Sequence, residues 1–188
     1  MTINSDISGK MVGCSLAQGG REFEIVSGKQ LENPYVDIAS LSKIIRQETM
    51  VVPTFSNFDG PFPKSANKGK ICGPRPKNKK ERYALAVLYT ALLTITCADK
   101  FGSKRDLILD GSYLRDPAFA KIVAKLCKNR RIFYDTETYG IASGAALLCF
   151  HGKTSSKLNL NIPSGIQEIS DLDVYANKWK SLVANQMK

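Results

Sequence analysis

The sequence predicts an α/β fold, with helices packed over a sheet, and three observations carry that expectation. From Lys79 to Phe150, short apolar runs alternate with stretches of helical periodicity in the order α-β-α-β-α. The connection between the two strands holds about a dozen residues or more, enough to return the second parallel to the first. Beyond Ser170, Leu172, Tyr175, Trp179, Leu182 and Val183 recur at helical spacing, as expected of a C-terminal helix lying on the body of the domain. At 188 residues, with 43% apolar and 23% charged side chains, the chain has the size and composition of one packed globular domain.

Taken in order, Asp37 to Arg46 reads as an amphipathic helix with Ile38, Leu41, Ile44 and Ile45 on one face, and Val51 to Phe55 as a strand. From Lys64 to Arg82 eight basic residues accompany a single acid, Glu81, and supply seven of the ten net positive charges. Gly69, Gly73, Pro74 and Pro76 punctuate that stretch, so it is expected to be a basic loop. Such a loop suits nucleic acid or phosphate. No aromatic residue is interleaved for base stacking, however, and a solvated, functionally bland loop is the preferred reading.

Asn78 can cap a long, largely buried helix from Lys79 to about Lys100, with Leu85, Leu88, Leu92 and Ile95 inward. Asp106 to Asp110 (DLILD) is a candidate buried strand, followed by the turn residues Gly111 and Ser112. Asp116-Pro117 has the cap-then-proline pattern of a helix start, with Phe119, Ile122, Val123 and Leu126 facing one way. Arg131 to Asp135 (RIFYD) is the next strand, and Tyr139 to Phe150 the next helix, with Ile141, Ala145 and Leu148 inward. Gly140 and Gly144, four apart, leave one face of that helix nearly bare for a backbone or a flat ligand. Lys153 to Ser170 reads as an irregular connector.

Several chemistries are disfavoured. The single histidine, His151, and the absence of clustered ligands argue against a histidine triad or a metallohydrolase. Five cysteines, more than about twenty residues apart and without CxxC, fit neither a disulfide framework nor zinc; they are expected to be reduced thiols in a cytoplasm, three of them in the core. The opening residues carry no apolar signal core, and Ala84 to Ala98 is too short and too polar to span a bilayer, so a soluble cytoplasmic protein without a membrane partner is expected. Neither GxGxxG nor GxxxxGK[ST] occurs. The strand, Gly-Ser turn and capped helix from Leu107 to Leu126 remain the best ligand site, because glycine admits a ligand to the backbone where a helix presents its first NH groups.

DGSYLRDPAFAKIVAKL followed by RRIFYDTETYGIASGAALL resembles the closing portion of the FGGY-family carbohydrate kinases. There a strand ends in Asp/Glu-Gly-Gly, Asn-Pro opens a helix, and a second strand precedes a helix with G-x-x-x-G-A-A-L-L, here Gly140 and Gly144 to Leu148. GGREFEIVSG (Gly19 to Gly28) and VVPTFSNFDGPFP (Val51 to Pro63) resemble a subgroup near the rhamnulose and fuculose kinases. The resemblance implies part of a ribonuclease-H-like lobe of the actin, Hsp70 and hexokinase superfold, with a mixed sheet under helices. Residues 1–152 would form the adenosine-binding part, with 64–82 the basic loop, and 153–188 a connector and a helix packing on the same domain. The implied nucleotide-binding residues are Gly111, Ser112, Asp116, Gly140 and Gly144.

The resemblance further implies ATP/ADP with Mg2+ as cofactor, the metal being held mainly by another part of the kinase. Phosphate motifs and the aspartate base of the family are not found before Gly19, so the chain is expected to be inactive alone, with a sugar as substrate only in a complete kinase. An N-terminal lobe, separately encoded in one alternative, or a second copy would be its partner. A second alternative is a small basic nucleic-acid-binding protein using the 64–82 segment. Ser112 stands where the family has its second glycine, and Asp116 where asparagine is usual; the former narrows the slot and the latter removes an amide donor.

Overall fold

The computed structural model describes residues 1–28, 35–136, 140–149, 160–164 and 169–187. Two compact units divide the chain, the first formed by Met1–Ser103 with Gln167–Lys188 and the second by Lys104–Ile166.

In the first unit a hairpin of β1 (Thr2–Ser5) and β2 (Met11–Cys14) leads into α1 (Gly19–Ser27), then α2 (Ile38–Arg46) and β3 (Met50–Val52). After β4 (Lys70–Cys72) comes α3 (Lys79–Asp99), and α6 (Leu172–Gln186) closes the unit. The α3 and α2 starts are both capped, at Asn78 as the sequence predicts and at Asp37, where the sequence reading places no cap. Asp37 accepts from the Ser40 amide and Asn78 from the Glu81 amide, each at 2.9 Å. Both satisfy amides that a helix start leaves without an intrahelical partner. Glu81 completes the start of α3 by accepting from the Lys77 amide and from Lys43 Nζ, both at 2.7 Å. α3 is buried almost all round from Tyr83 to Leu93, with α1, α2 and β3 packed against it. Leu41, Ile44 and Ile45 are buried on α2, whereas Ile38, expected on the same face, is exposed in its first turn.

α6 is fastened to the strand by two buried hydrogen bonds. Trp179 Nε1 donates to the Val51 carbonyl and Tyr175 Oη to the Thr49 carbonyl, each at 2.6 Å, and Phe62 meets the Trp179 ring edge-on. β3 stops at Val52 rather than running to Phe55. Pro53 has no amide to give a ladder, and the Phe55 and Ser56 amides donate at 3.0 and 2.9 Å to the carboxylate of Glu22, 1% exposed on α1. Tyr89 Oη donates to the other oxygen of Glu22 at 2.9 Å. The basic stretch is likewise not all loop. β4 pairs antiparallel with β3, in register Val51↔Ile71, while the eight basic side chains themselves are exposed.

In the second unit β5 (Leu107–Leu109) and β6 (Ile132–Tyr134) pair in parallel across α4 (Pro117–Leu126), as the alternation predicts. Asn161, in the expected connector, adds an antiparallel bridge to Tyr134, so the small sheet is mixed. Phe119, Ile122 and Val123 are buried, but of DLILD only Leu109 is, with Ile108 half exposed. α5 (Gly140–Leu148) departs most from expectation: Ala145 and Leu148 are exposed rather than inward. Tyr139, Phe150, most of the connector and the side chain of Ile141 lie outside the described residues. Of the cysteines, Cys127 alone is buried, and all five are free thiols.

Candidate functional site

The site suggested by the sequence lies wholly in the second unit, where β5 ends. Gly111 takes φ +112°, a conformation that side-chain-bearing residues rarely adopt, and nothing lies within 4 Å of where its Cβ would be. A short 3-10 turn, Ser112–Arg115, follows directly, closed by the Leu114 amide donating to the Gly111 carbonyl at 3.1 Å. The turn delivers the chain to α4, whose start is made by Asp116: its Oδ1 accepts from the Ala118 amide at 2.9 Å, with Pro117 in the first helical position. Ser112 is exposed. Asp116 is 3% exposed, so its carboxylate organises the helix start instead of opening onto solvent.

Gly140 is drawn to the same strand end. A Cβ there would fall 2.7 Å from Cγ of Asp110 and nearer still to Oδ2, so glycine is the residue that lets the Asp110 carboxylate sit against the start of α5. Sequence reasoning missed Asp110 as a site residue. The signal was present, since Asp110 is the acid that ends the strand immediately before Gly111. Gly144 stands one helical turn further along α5, exposed, with nothing within 4 Å of a built Cβ. Its missing side chain therefore serves no internal contact among the described residues, unlike that of Gly140.

At the opposite, amino-terminal end of the same two strands, Arg131 forms a paired ion bridge to Asp106, Nε–Oδ1 3.0 Å and Nη2–Oδ2 2.6 Å, and lies 5.6 Å from the centre of the Phe133 ring. The hydrogen bonds to Asp106 hold the guanidinium pKa above its ordinary value. Chemically, the turn offers an uncovered backbone, the first NH groups of a helical segment and one carboxylate that can accept from a hydroxyl. Among the described residues no group of three or more His, Cys, Asp or Glu side chains is placed to hold a metal ion.

Residues 1–157 match the family described as "Carbohydrate kinase FGGY, C-terminal domain". The chain belongs to the FGGY family of carbohydrate kinases. A solved structure agrees: the chain superposes on a carbohydrate kinase from Novosphingobium aromaticivorans with a TM-score of 0.75 at 26% identity. The match covers 96% of this chain and 40% of that one, so the chain spans less than half the length of that relative. No curated protein matches it. The α/β arrangement is thus that of an FGGY kinase C-terminal domain, and no helix among the described residues is long and apolar enough to cross a membrane.

Proposed function

We propose that this FGGY domain is the adenosine-binding portion of an ATP-dependent sugar kinase and that the chain does not transfer phosphate by itself. The observation that carries the reading is Gly111: at the carboxyl end of a parallel strand, with φ +112° and open space over its Cα, it leaves the backbone bare where a nucleotide settles in open α/β sheets. Ser112 presents the first NH of the turn, the start of α4 presents its positive end, and the Gly144 face of α5 leaves room for a flat ring. Asp116 acts here by position, holding α4 beside the turn. Asp110, at the same strand end, is suited to accept from a ribose hydroxyl.

A bound nucleotide would supply the phosphoryl group. The residues described here would hold its adenosine end, exclude water from one face of the base and orient it. The family resemblance assigns the metal and the triphosphate mainly to other parts of a kinase, and affinity for ADP alone is therefore expected to be millimolar or weaker. Residues 1–152 act in this reading as the adenosine part and 153–188 as a connector and packing helix. The Gly19–Gly28 and Val51–Pro63 segments favour the rhamnulose and fuculose kinase subgroup, and a cytoplasmic location accords with that chemistry.

Calorimetry with ADP tests the proposal. Gly111→Val should abolish the heat of binding, and Ser112→Gly, which widens the slot, should preserve or strengthen it. Because valine at this φ strains the turn, Gly144→Leu is the companion variant: among the described residues nothing lies within 4 Å of a Cβ built at this exposed position, so it should fold normally and still lose ADP. Full binding by Gly144→Leu and Gly111→Val together would refute the site. A coupled ADP-release assay over pentoses, deoxyhexoses and polyols should give only background, since in-line transfer needs metal, γ-phosphate and hydroxyl held together.

A further inference from the structure

The residues between Gly111 and Asp116 sort by the side of the turn from which they project. In a 3-10 turn the side chains at i and i+3 eclipse, so Ser112 and Arg115, the first and last residues of this one, stand on the same side of it. Exposure follows that pattern. Ser112 and Arg115 are exposed, Tyr113 is half-buried with its ring centre 5.4 Å from that of Phe119, and Leu114 is buried. The solvent side of the turn, which starts from the uncovered Gly111 backbone, therefore carries a hydroxyl and a guanidinium.

No side-chain amide occurs from Gly111 to Pro117, and the carboxylate of Asp116 is turned inward, 3% exposed and accepting from the Ala118 amide. The two purines ask for different partners. Along the edge that joins N7 to the group on C6, adenine presents an acceptor beside a donor, its 6-amino group, and is matched bidentately by Asn or Gln. Guanine presents two acceptors there, N7 and O6, and is matched by Arg. A guanidinium holds five N–H donors in a planar fork and accepts nothing, so it answers the guanine edge and leaves the adenine amino group without a partner. The Ser112 hydroxyl can donate or accept and so serves either base.

Resting on the reading of this turn as a nucleotide site, we infer that Arg115 reads the base and that the turn takes 6-oxopurine nucleotides, guanine or hypoxanthine, more tightly than adenine ones. Adenine still enters, because the bare backbone at Gly111 and the missing side chain at Gly144 accommodate a flat ring without reading its edge. Weak ADP binding and a preference for GDP are therefore compatible. A complete kinase built on this turn would draw on GTP as well as ATP.

NMR titrations of the intact chain with ADP, GDP and IDP, read at the Gly111 and Ser112 amides, test the inference. GDP and IDP should each bind at least about threefold more tightly than ADP. IDP shares N7 and O6 with GDP but has no 2-amino group, so its agreement with GDP places the reading on the edge that a guanidinium matches. Arg115→Ala should bring the three ligands to within about twofold of one another, and Arg115→Gln, which offers the amide that adenine matches, should turn the preference to ADP. Arg115 is exposed, and an unchanged melting temperature verifies that both variants fold. A wild-type chain that binds ADP as tightly as GDP overturns the inference without any variant. So does a preference for GDP that IDP does not share, a preference that survives Arg115→Ala, or an equal loss of all three ligands in that variant, which would assign the guanidinium to phosphate. Absence of shifts at the turn with every nucleotide refutes the nucleotide site and this inference together, whereas ADP shifts there without a gain for GDP refute this inference and leave the site standing.

Discussion

The surroundings of α3 and those of α5 contrast sharply. α3 is buried from Tyr83 to Leu93, and its neighbours tie down their polar groups: Glu22 takes two amides and a phenol, Glu81 takes Lys43 and a backbone amide, and Trp179 and Tyr175 donate to carbonyls in and just before β3. α5 carries a strongly apolar sequence, Gly140–Leu148, and yet is exposed from Ala142 to Leu148, beside a turn whose glycine has nothing within 4 Å of where a Cβ would stand. One region is closed on itself and the other left open. Stability should therefore respond to changes near α3, and ligand binding to changes around Gly111 and Gly144, with little crossover.

The largest expected effect is Trp179→Ala. It removes a fully buried ring and leaves the Val51 carbonyl without its donor, so urea unfolding should show a loss of about 3 to 5 kcal/mol. Glu22→Ala comes next. Two buried amides and the Tyr89 hydroxyl lose their acceptor, for a loss of about 2 to 3 kcal/mol, whereas Tyr89→Phe, which keeps both amides satisfied, should lose only about 1. A smaller loss on Glu22→Ala than on Tyr89→Phe would mean that Glu22 does not pin the Phe55 segment.

The pH dependence sharpens the same contrast, because the shifted groups around α3 act at both extremes. Burial, followed by the neighbouring Glu22 charge, pushes the Tyr89 hydroxyl above its ordinary range, and burial does the same to Tyr175. The unfolded chain then releases those protons first. Stability due to the two tyrosines is complete below their unfolded pKa and should fall as pH rises above about 10. Hydrogen bonding from Lys43 holds the Glu81 carboxyl below its ordinary value, and that from the Ser40 hydroxyl does so for Asp37. Their contribution is present above the unfolded carboxylate pKa and should decline as pH drops below about 4. Melting temperatures from pH 3 to 11 should trace both limbs, and Tyr89→Phe should flatten the alkaline one.

Around α5 the sign reverses. Gly144→Leu replaces an exposed mid-helix glycine where, among the described residues, nothing lies within 4 Å of a built Cβ, so stability should stay constant or rise by up to about 1 kcal/mol while ADP binding disappears. The smallest effect belongs to the basic segment: exchanging Lys77, Lys79 and Lys80 for Gln should alter stability by only a few tenths of a kcal/mol, since all three side chains are exposed. Micromolar nucleic-acid binding that this exchange abolishes would instead favour the nucleic-acid reading.

What could be read from the sequence follows the same divide. Asn78 and Asp116 mark two helix starts because a cap is a local event, and the buried faces of α3, α4 and α6 are visible as apolar periodicity. β3 looks two or three residues too long in sequence because the carboxylate that diverts the Phe55 and Ser56 amides sits more than thirty residues upstream. β4 is concealed by Lys70 in a charged stretch that reads as loop, although exposed edges tolerate lysine. The β1–β2 hairpin shows neither a buried face nor an unbroken apolar run. α5 misleads in the opposite direction, since its apolar residues predict burial and the fold leaves them open. At the candidate site Gly111, Ser112 and Asp116 are adjacent in sequence and so were legible together, whereas the approach of Gly140 to Asp110 depends on β5 and β6 lying side by side.

The most direct test is an NMR titration of the intact chain with ADP, following backbone amides one by one. Shifts concentrated at Gly111, Ser112 and Gly144, absent in Gly144→Leu and saturating in the millimolar range, are what an adenosine site at this turn predicts. Shifts that gather instead on Lys64 to Arg82 and persist unchanged in Gly144→Leu would contradict it.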